Sequence, residues 1–219
     1  MKDKRFIIKI SILIPIILFL IISVYFNASY IVSMDTFAYS FVHHLRSVFT
    51  NNIFLILTLF AQTLTIVTII YALWFLPNRK RVALPLTLCM IFSTAINALI
   101  KYIVNRARPV GEFVGNLFFN YGFPTSNSFP SGHSQAGLVF YYVLITILIN
   151  ECGLENKKAI IAWKTSAIIF ALLIGLSRII IGVHFFSDVL TGLLIGWLVI
   201  LIFKKFYKKF YIINSCKNK

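Results

Sequence analysis

An all-α, polytopic membrane protein, six transmembrane helices in a bundle with both termini cytoplasmic, is the fold class the sequence predicts. Of the 219 residues, 59% are hydrophobic and only 12% charged, an apolar share beyond that of soluble globular domains. The apolar residues fall into six runs near the roughly 20 residues that a helix needs to cross a bilayer core of about 30 Å. The basic residues gather in alternate gaps between those runs, the pattern expected of cytoplasmic loops.

The first run, 6–26, follows Lys2, Lys4 and Arg5. A basic start before an apolar stretch also suits a cleaved signal peptide, but the run's length and the missing small-residue cleavage pattern favour a retained helix. The second run, 53–76, ends just before Arg79, Lys80 and Arg81, and the third, 82–104, begins directly after them. The fourth, 132–150, opens on Pro130-Ser131-Gly132-His133; the fifth, 160–181, follows Lys157 and Lys158 and closes on Ser177-Arg178. The sixth, 184–206, starts at His184 and runs into a basic tail. No long polar stretch remains for a soluble domain, so residues 1–219 read as one membrane-embedded domain with short tails.

Lys2, Lys4, Arg5, Lys9, Arg79, Lys80, Arg81, Lys157, Lys158, Lys204, Lys205, Lys208, Lys209, Lys217 and Lys219 are fifteen of the 21 basic residues. All lie on one side of a six-span chain, which the positive-inside rule makes the cytoplasm. The formal charge of +15 therefore flanks spans and does not form a nucleic-acid surface, which would interleave cations with exposed aromatics on one face. Cys89 falls within a span, and Cys152 and Cys216 fall on the cytoplasmic side. Without paired spacing, and in a reducing compartment, neither a disulfide framework nor a zinc site is expected.

Three polar clusters interrupt the apolar chain: Lys101 with Arg108-Pro109, then Pro130-Ser131-Gly132-His133, then Ser177-Arg178 with His184 and Asp188. Counting spans places all three on the extracytoplasmic side. Ionisable groups at membrane depth cost at least about 2.5 kcal/mol each and are usually paired or functional. Lys101 alone could snorkel to headgroups, and Arg178 alone could be an interfacial anchor. Their convergence with two histidines and a carboxylate favours a site.

That site has the parts that phosphoryl transfer requires. Lys101, Arg108 and Arg178 supply cations to hold and neutralise phosphate, the arginines through paired hydrogen bonds and the lysine as a compact charge. Residues 130–133 open a helix whose free N–H groups and dipole favour an anion. Gly132 permits close backbone approach, and Ser131 serves either as the helix cap or as a hydroxyl donor. Taken alone, this segment reads more simply as a well-capped helix start, since Ser and Pro are common there. His184 and Asp188, four apart, share a helix face. A carboxylate there can fix one imidazole nitrogen and leave the other free to attack, although a lone pair of this kind can also be structural. Two histidines from different spans suggest divided labour between a neutral nucleophile and a protonated acid.

Lys101-x6-Arg108-Pro109, Pro130-Ser131-Gly132-His133 and Ser177-Arg178-x5-His184-x3-Asp188 together resemble the three-part signature of the phosphatidic acid phosphatase type 2 superfamily, in order and internal spacing. The resemblance runs from 101 to 188. It implies that His184 attacks phosphorus to form a phosphohistidine, Asp188 orients and activates His184, and His133 protonates the leaving group. Lys101, Arg108, Ser131, Gly132 and Arg178 would bind phosphate and stabilise the transition state. It also implies chemistry without a metal or other cofactor, consistent with the missing carboxylate cluster of a magnesium site.

A site at the outer membrane boundary favours phosphorylated lipids over soluble esters. The family includes bacterial phosphatidylglycerophosphatase B-like enzymes and undecaprenyl pyrophosphate phosphatases, which this chain resembles. Its motifs do not choose among phosphatidylglycerophosphate, phosphatidic acid and undecaprenyl pyrophosphate, nor set an oligomeric state. Two alternatives stand beside hydrolysis: a phosphotransferase passing phosphate from a lipid pyrophosphate to another lipid, and a non-catalytic transporter or binder of anionic lipids. The connection 105–131 carries Phe113, Phe118, Phe119, Tyr121 and Phe123 and reads equally as a lid or an interfacial anchor. His43 and His44 in the other outer loop read as a solvated pair, since a metal site would need further ligands.

Overall fold

The computed structural model describes residues 2–109 and 126–216. Among them the regular structure is entirely helical: α1 (Lys2–Tyr25), α2 (Ser29–His43), α3 (Val48–Leu59), α4 (Thr63–Leu73), α5 (Ala83–Val104), α6 (Gly132–Glu151), α7 (Lys157–Ile180) and α8 (Phe186–Cys216). Six stretches are long and apolar enough to cross a bilayer, with α3 and α4 together forming the second. The chain is a multi-pass membrane protein. The aromatic segment Phe113 to Phe123, with its lid or anchor role, lies outside the described residues.

The second span departs from the single run expected over 53–76. It begins at Val48, where Ser47 and Thr50 form a reciprocal capping box, and it breaks at residues 60–62. The break leaves the Phe60 carbonyl without a helical donor, and the Tyr141 hydroxyl donates to it at 2.8 Å. Ala61 is buried there, close enough that a Cβ added at Gly137 would lie 3.4 Å from its methyl carbon.

Helix α2 was not anticipated, because its 15 residues mix polar and apolar side chains and are too short to span. Its inner face buries Ile31, Asp35 and Val42, while Phe37 and Phe41 are exposed. Arg46, in the following connection, donates from Nε to the Ile180 carbonyl at 2.7 Å and from Nη2 to Ile179 at 3.2 Å. It thereby satisfies carbonyls at the negative end of α7, beside Arg178.

α6 and α8 form the centre of the bundle, with 56% and 61% of their spanning windows buried against 22–39% in the other four. The main core joins Leu86 of α5, Val139, Phe140, Val143 and Ile147 of α6, Ala171 of α7, and Val199 and Ile200 of α8. The outer spans instead present large apolar side chains such as Ile12, Leu64, Leu99 and Ile161 outward, as contact with lipid requires. An even number of crossings puts the polar end of α5, the starts of α6 and α8 and the end of α7 at one end of the bundle.

Candidate active site

α5 ends at Asn105, whose left-handed φ of 47° turns the chain, a conformation asparagine tolerates better than most residues. The strands of loop on either side of the undescribed segment are tied together there. Ser128 donates from its backbone N–H to Arg106 at 2.8 Å and from its hydroxyl to Ala107 at 2.9 Å. Lys101 Nζ donates to the Asn127 carbonyl, and Arg108 Nε donates to the Ser126 carbonyl at 2.7 Å. Both cations are thus held over the start of α6.

Ser131 caps that helix: its hydroxyl oxygen accepts from the Ser134 N–H at 3.4 Å and from the Ser134 hydroxyl at 2.8 Å. Its own N–H donates to the Asp188 carbonyl at 3.0 Å, locking the start of α6 to the start of α8. Gly192 makes this approach possible, since a Cβ there would stand 2.6 Å from the Ser131 carbonyl oxygen. His133, two residues along, has a buried Nε2 with no hydrogen-bond partner among the described residues.

Between α7 and α8 the chain makes a compact turn. Gly182 takes a φ of 74°, and the N–H groups of Val183 and His184 both donate to the Arg178 carbonyl at 3.2 Å. His184 therefore sits in the turn before α8, not on the helix as the i, i+4 spacing suggests. The pair forms because Asp188, in the first turn of α8, reaches back: its Oδ2 accepts from the Phe185 N–H at 2.9 Å and lies 3.2 Å from His184 Nδ1. This is the reach-back half of a capping box, here holding an imidazole as well.

The tautomer follows from the partners. Arg108 Nη1 lies 3.2 Å from His184 Nε2, and a guanidinium can only donate. Nε2 is thus the unprotonated acceptor, and Nδ1 carries the proton toward Asp188. Burial, followed by the charges of Arg178, Arg108 and Lys101, holds the His184 pKa well below the usual histidine range. The contact with Asp188 pulls the other way as an ion pair; burial among three cations outweighs it, and the imidazole is neutral at neutral pH. Arg178 is almost wholly buried, and its Nη1 donates to Thr58 of α3 at 2.7 Å.

Lys101, Arg108, Gly132, His133, Arg178 and His184 line one cleft of about 980 Å³. Ser131 and Asp188 stand behind it, fully buried. All eight residues singled out from the sequence therefore gather at one end of the bundle. His43 and His44 stack edge to face at 6.2 Å, and no metal-binding group of histidine, cysteine and carboxylate side chains occurs among the described residues.

A family model for the PAP2 superfamily matches residues 82–212, more than half of the chain. The chain belongs to the PAP2 superfamily. Its similarity to phosphatidylglycerophosphatase B of Bacillus subtilis is 32% identity over 126 residues, covering 57% of this chain and 58% of that protein. To an undecaprenyl-diphosphatase of Sulfolobus acidocaldarius it is 24% identical over 185 residues, covering 83% and 84% respectively. The fold matches the crystal structure of the transmembrane PAP2 type phosphatidylglycerolphosphate phosphatase from Bacillus subtilis with a TM-score of 0.77 at 24% identity, over 91% of this chain and 96% of that one. This PAP2 protein is accordingly a membrane member of the superfamily, and it spans 58% of the length of that phosphatidylglycerophosphatase B.

Three residues escaped the sequence reading: Thr58 and Arg106 bond to Arg178 and Asp188 of the site, and Asp35 reaches it through Arg106. Thr58 lies in what reads as an ordinary apolar span. Asp35 lies between the first two apolar runs in a segment that reads as loop, and Arg106 sits inside the variable stretch of the first motif. Burial is the feature that sets Asp35 apart, and burial depends on the tertiary fold.

Proposed function

We propose that the chain is an integral membrane lipid phosphatase that removes phosphate from a monoester or pyrophosphate headgroup at the extracytoplasmic face, through a phosphohistidine on His184. The observation that supports this most is the orientation of His184: Asp188 at Nδ1, Arg108 at Nε2, and Lys101, Arg178 and the bare Nε2 of His133 in the same cleft.

A phosphate entering the cleft meets Lys101, Arg108 and Arg178, and Arg108 turns from His184 Nε2 to a phosphate oxygen. The freed lone pair of Nε2 attacks phosphorus, and the bond to the leaving oxygen breaks. His133 gives its proton to that oxygen, releasing a lipid alcohol, or a lipid phosphate if the substrate is a pyrophosphate. His133 then takes a proton from water as the water attacks phosphorus, and inorganic phosphate leaves with His184 restored. Asp188 stabilises the positive charge that develops on the imidazole. The three cations and the α6 N-terminus supply the charge neutralisation that a metal provides in other phosphoryl-transfer sites, so this reading needs no cofactor.

The cleft also favours a lipid. From the cations it descends between α4 and α5 past Ile66, Ile70, Met90 and Ile91 to Thr87. Thr87 to Lys101 spans roughly 21 Å of helix at about 1.5 Å per residue. Apolar walls of that length suit an acyl or polyprenyl chain below a headgroup held at the cations. The positive-inside bias supports the outward orientation and cytoplasmic termini.

Purified protein in detergent with excess chelator is expected to release inorganic phosphate from at least one of phosphatidylglycerophosphate, phosphatidic acid and undecaprenyl pyrophosphate. His184→Ala should abolish that release and the acid-labile phosphoprotein with it. Full activity in the variant would remove His184 as nucleophile. Phosphorylated lipid accumulating in place of inorganic phosphate would make the protein a phosphotransferase.

A further inference from the structure

Behind the His184–Asp188 pair lies a buried charge cluster that the phosphatase signature does not contain. Arg106 Nη1 donates to Asp188 Oδ1 at 2.7 Å, and its Nη2 donates to Asp35 Oδ2 at 2.7 Å. Asp35 in turn accepts from the Ser187 N–H at 2.8 Å through Oδ1 and from the Ser187 hydroxyl at 2.7 Å through Oδ2. Arg106 Nη1 also donates to the Ser187 hydroxyl oxygen at 2.7 Å, and its guanidinium lies 4.0 Å from the centre of the Phe185 ring. Asp35, Ser187 and Asp188 are each at most 4% exposed.

A buried carboxylate can orient an imidazole only if its position and charge are fixed. Asp188 uses Oδ2 for His184 and for the Phe185 N–H, and Arg106 takes the opposite oxygen. One arginine between two carboxylates leaves the cluster with a net negative charge, which His184 faces directly. On its other side His184 faces Arg108, Arg178 and Lys101. The protonation of His184 thus depends on how fully Arg106 offsets Asp188, and that depends on how much of Arg106 is shared with Asp35.

From this geometry we infer that Arg106 and Asp35 are positioning residues for the phosphatase reaction, setting the orientation and charge of Asp188 and through it the proton affinity of His184. The inference rests on the proposed role of His184 and extends the working site to α2, outside residues 82–212. Removing Arg106 leaves the Asp188 charge unopposed, so the His184–Asp188 pair takes up its proton at a higher pH. Removing the charge of Asp35 gives all of Arg106 to Asp188, so the pair takes up its proton at a lower pH. A role confined to holding α2 in place would not give opposite signs.

The test compares Arg106→Gln, Arg106→Lys and Asp35→Asn with wild type in detergent. The four histidines are labelled with 15N, and the His184 resonance, assigned by its loss in His184→Ala, is followed against pH. Turnover of the best lipid substrate is measured on the same samples. The expected result is an upward shift of the His184 titration in Arg106→Gln, a smaller one in Arg106→Lys and a downward shift in Asp35→Asn. In Arg106→Gln, kcat per folded protein should fall about tenfold or more with KM little changed, because the phosphate-binding cations are untouched. Shifts of the same sign, or none, in folded Arg106→Gln and Asp35→Asn would overturn the inference whether or not the wild type turns over. A wild type that titrates as described yet releases no phosphate would instead count against the phosphatase reading.

Discussion

Gly192→Ala offers a sharp test of the link between helix contact and chemistry. The added Cβ would lie 2.6 Å from the Ser131 carbonyl oxygen and 3.5 Å from its nitrogen. Both are backbone atoms, so no side chain can rotate away. Relief to between 3.0 and 3.4 Å requires α8 and the start of α6 to separate by about 0.4–0.8 Å. Overpacking of this kind costs about 1–3 kcal/mol of stability. The displacement falls on the contact that sets the distance between the two proposed catalytic histidines, since Ser131 N–H is bonded to the Asp188 carbonyl. Misplacement by about 1 Å can cost about 100-fold in rate, so kcat for lipid hydrolysis should fall about 10- to 100-fold in protein that remains folded. Phosphate release per folded molecule, with thermal unfolding in the same detergent, measures both effects. Wild-type kcat together with wild-type unfolding temperature would show that the α6–α8 contact does not govern the chemistry.

Asp188→Asn should lower kcat by about 10⁴ with a much smaller change in KM, because the amide disturbs the His184 tautomer without touching the phosphate cations; single-substrate kinetics check this. Thr58→Val removes a hydrogen bond to the Arg178 guanidinium, a kind worth about 1.5–3 kcal/mol, and kcat/KM should fall about 10- to 100-fold. The wild-type pH profile should be bell-shaped, with its acid limb below the usual histidine value of about 6.5, since the depressed His184 pKa keeps this proposed nucleophile neutral until the pH falls through it. Arg108→Ala removes one of the depressing charges, so that limb should move toward higher pH. Thr94→Trp, placed on the cleft wall, should slow long-chain substrates while sparing a water-soluble phosphate ester, and rates on the two substrate types separate those outcomes.

Much of the site was legible because its parts are anomalous where they stand. Lys101, Arg178, His184 and Asp188 are expensive in an apolar chain, and the three motifs keep their spacing. Less legible was how His184 meets Asp188, because spacing on an ideal helix cannot show that α8 begins at Phe186 and that its first turn reaches back. The break at residues 60–62 was hidden as well: an apolar run looks the same whether its hydrogen bonds close within one helix or a freed carbonyl finds Tyr141.

By itself the sequence determined the six membrane crossings and the residue types available for phosphoryl chemistry, because the cost of placing a run of side chains in lipid is a local sum over its residues. The tertiary structure alone decided which distant polar groups complete the site. Asp35 meets Arg106 across 71 positions and Ser187 across 152, and Thr58 meets Arg178 across 120. An aspartate in a short segment between spans looks solvated until neighbouring helices exclude water from it, and only then must its charge find a partner.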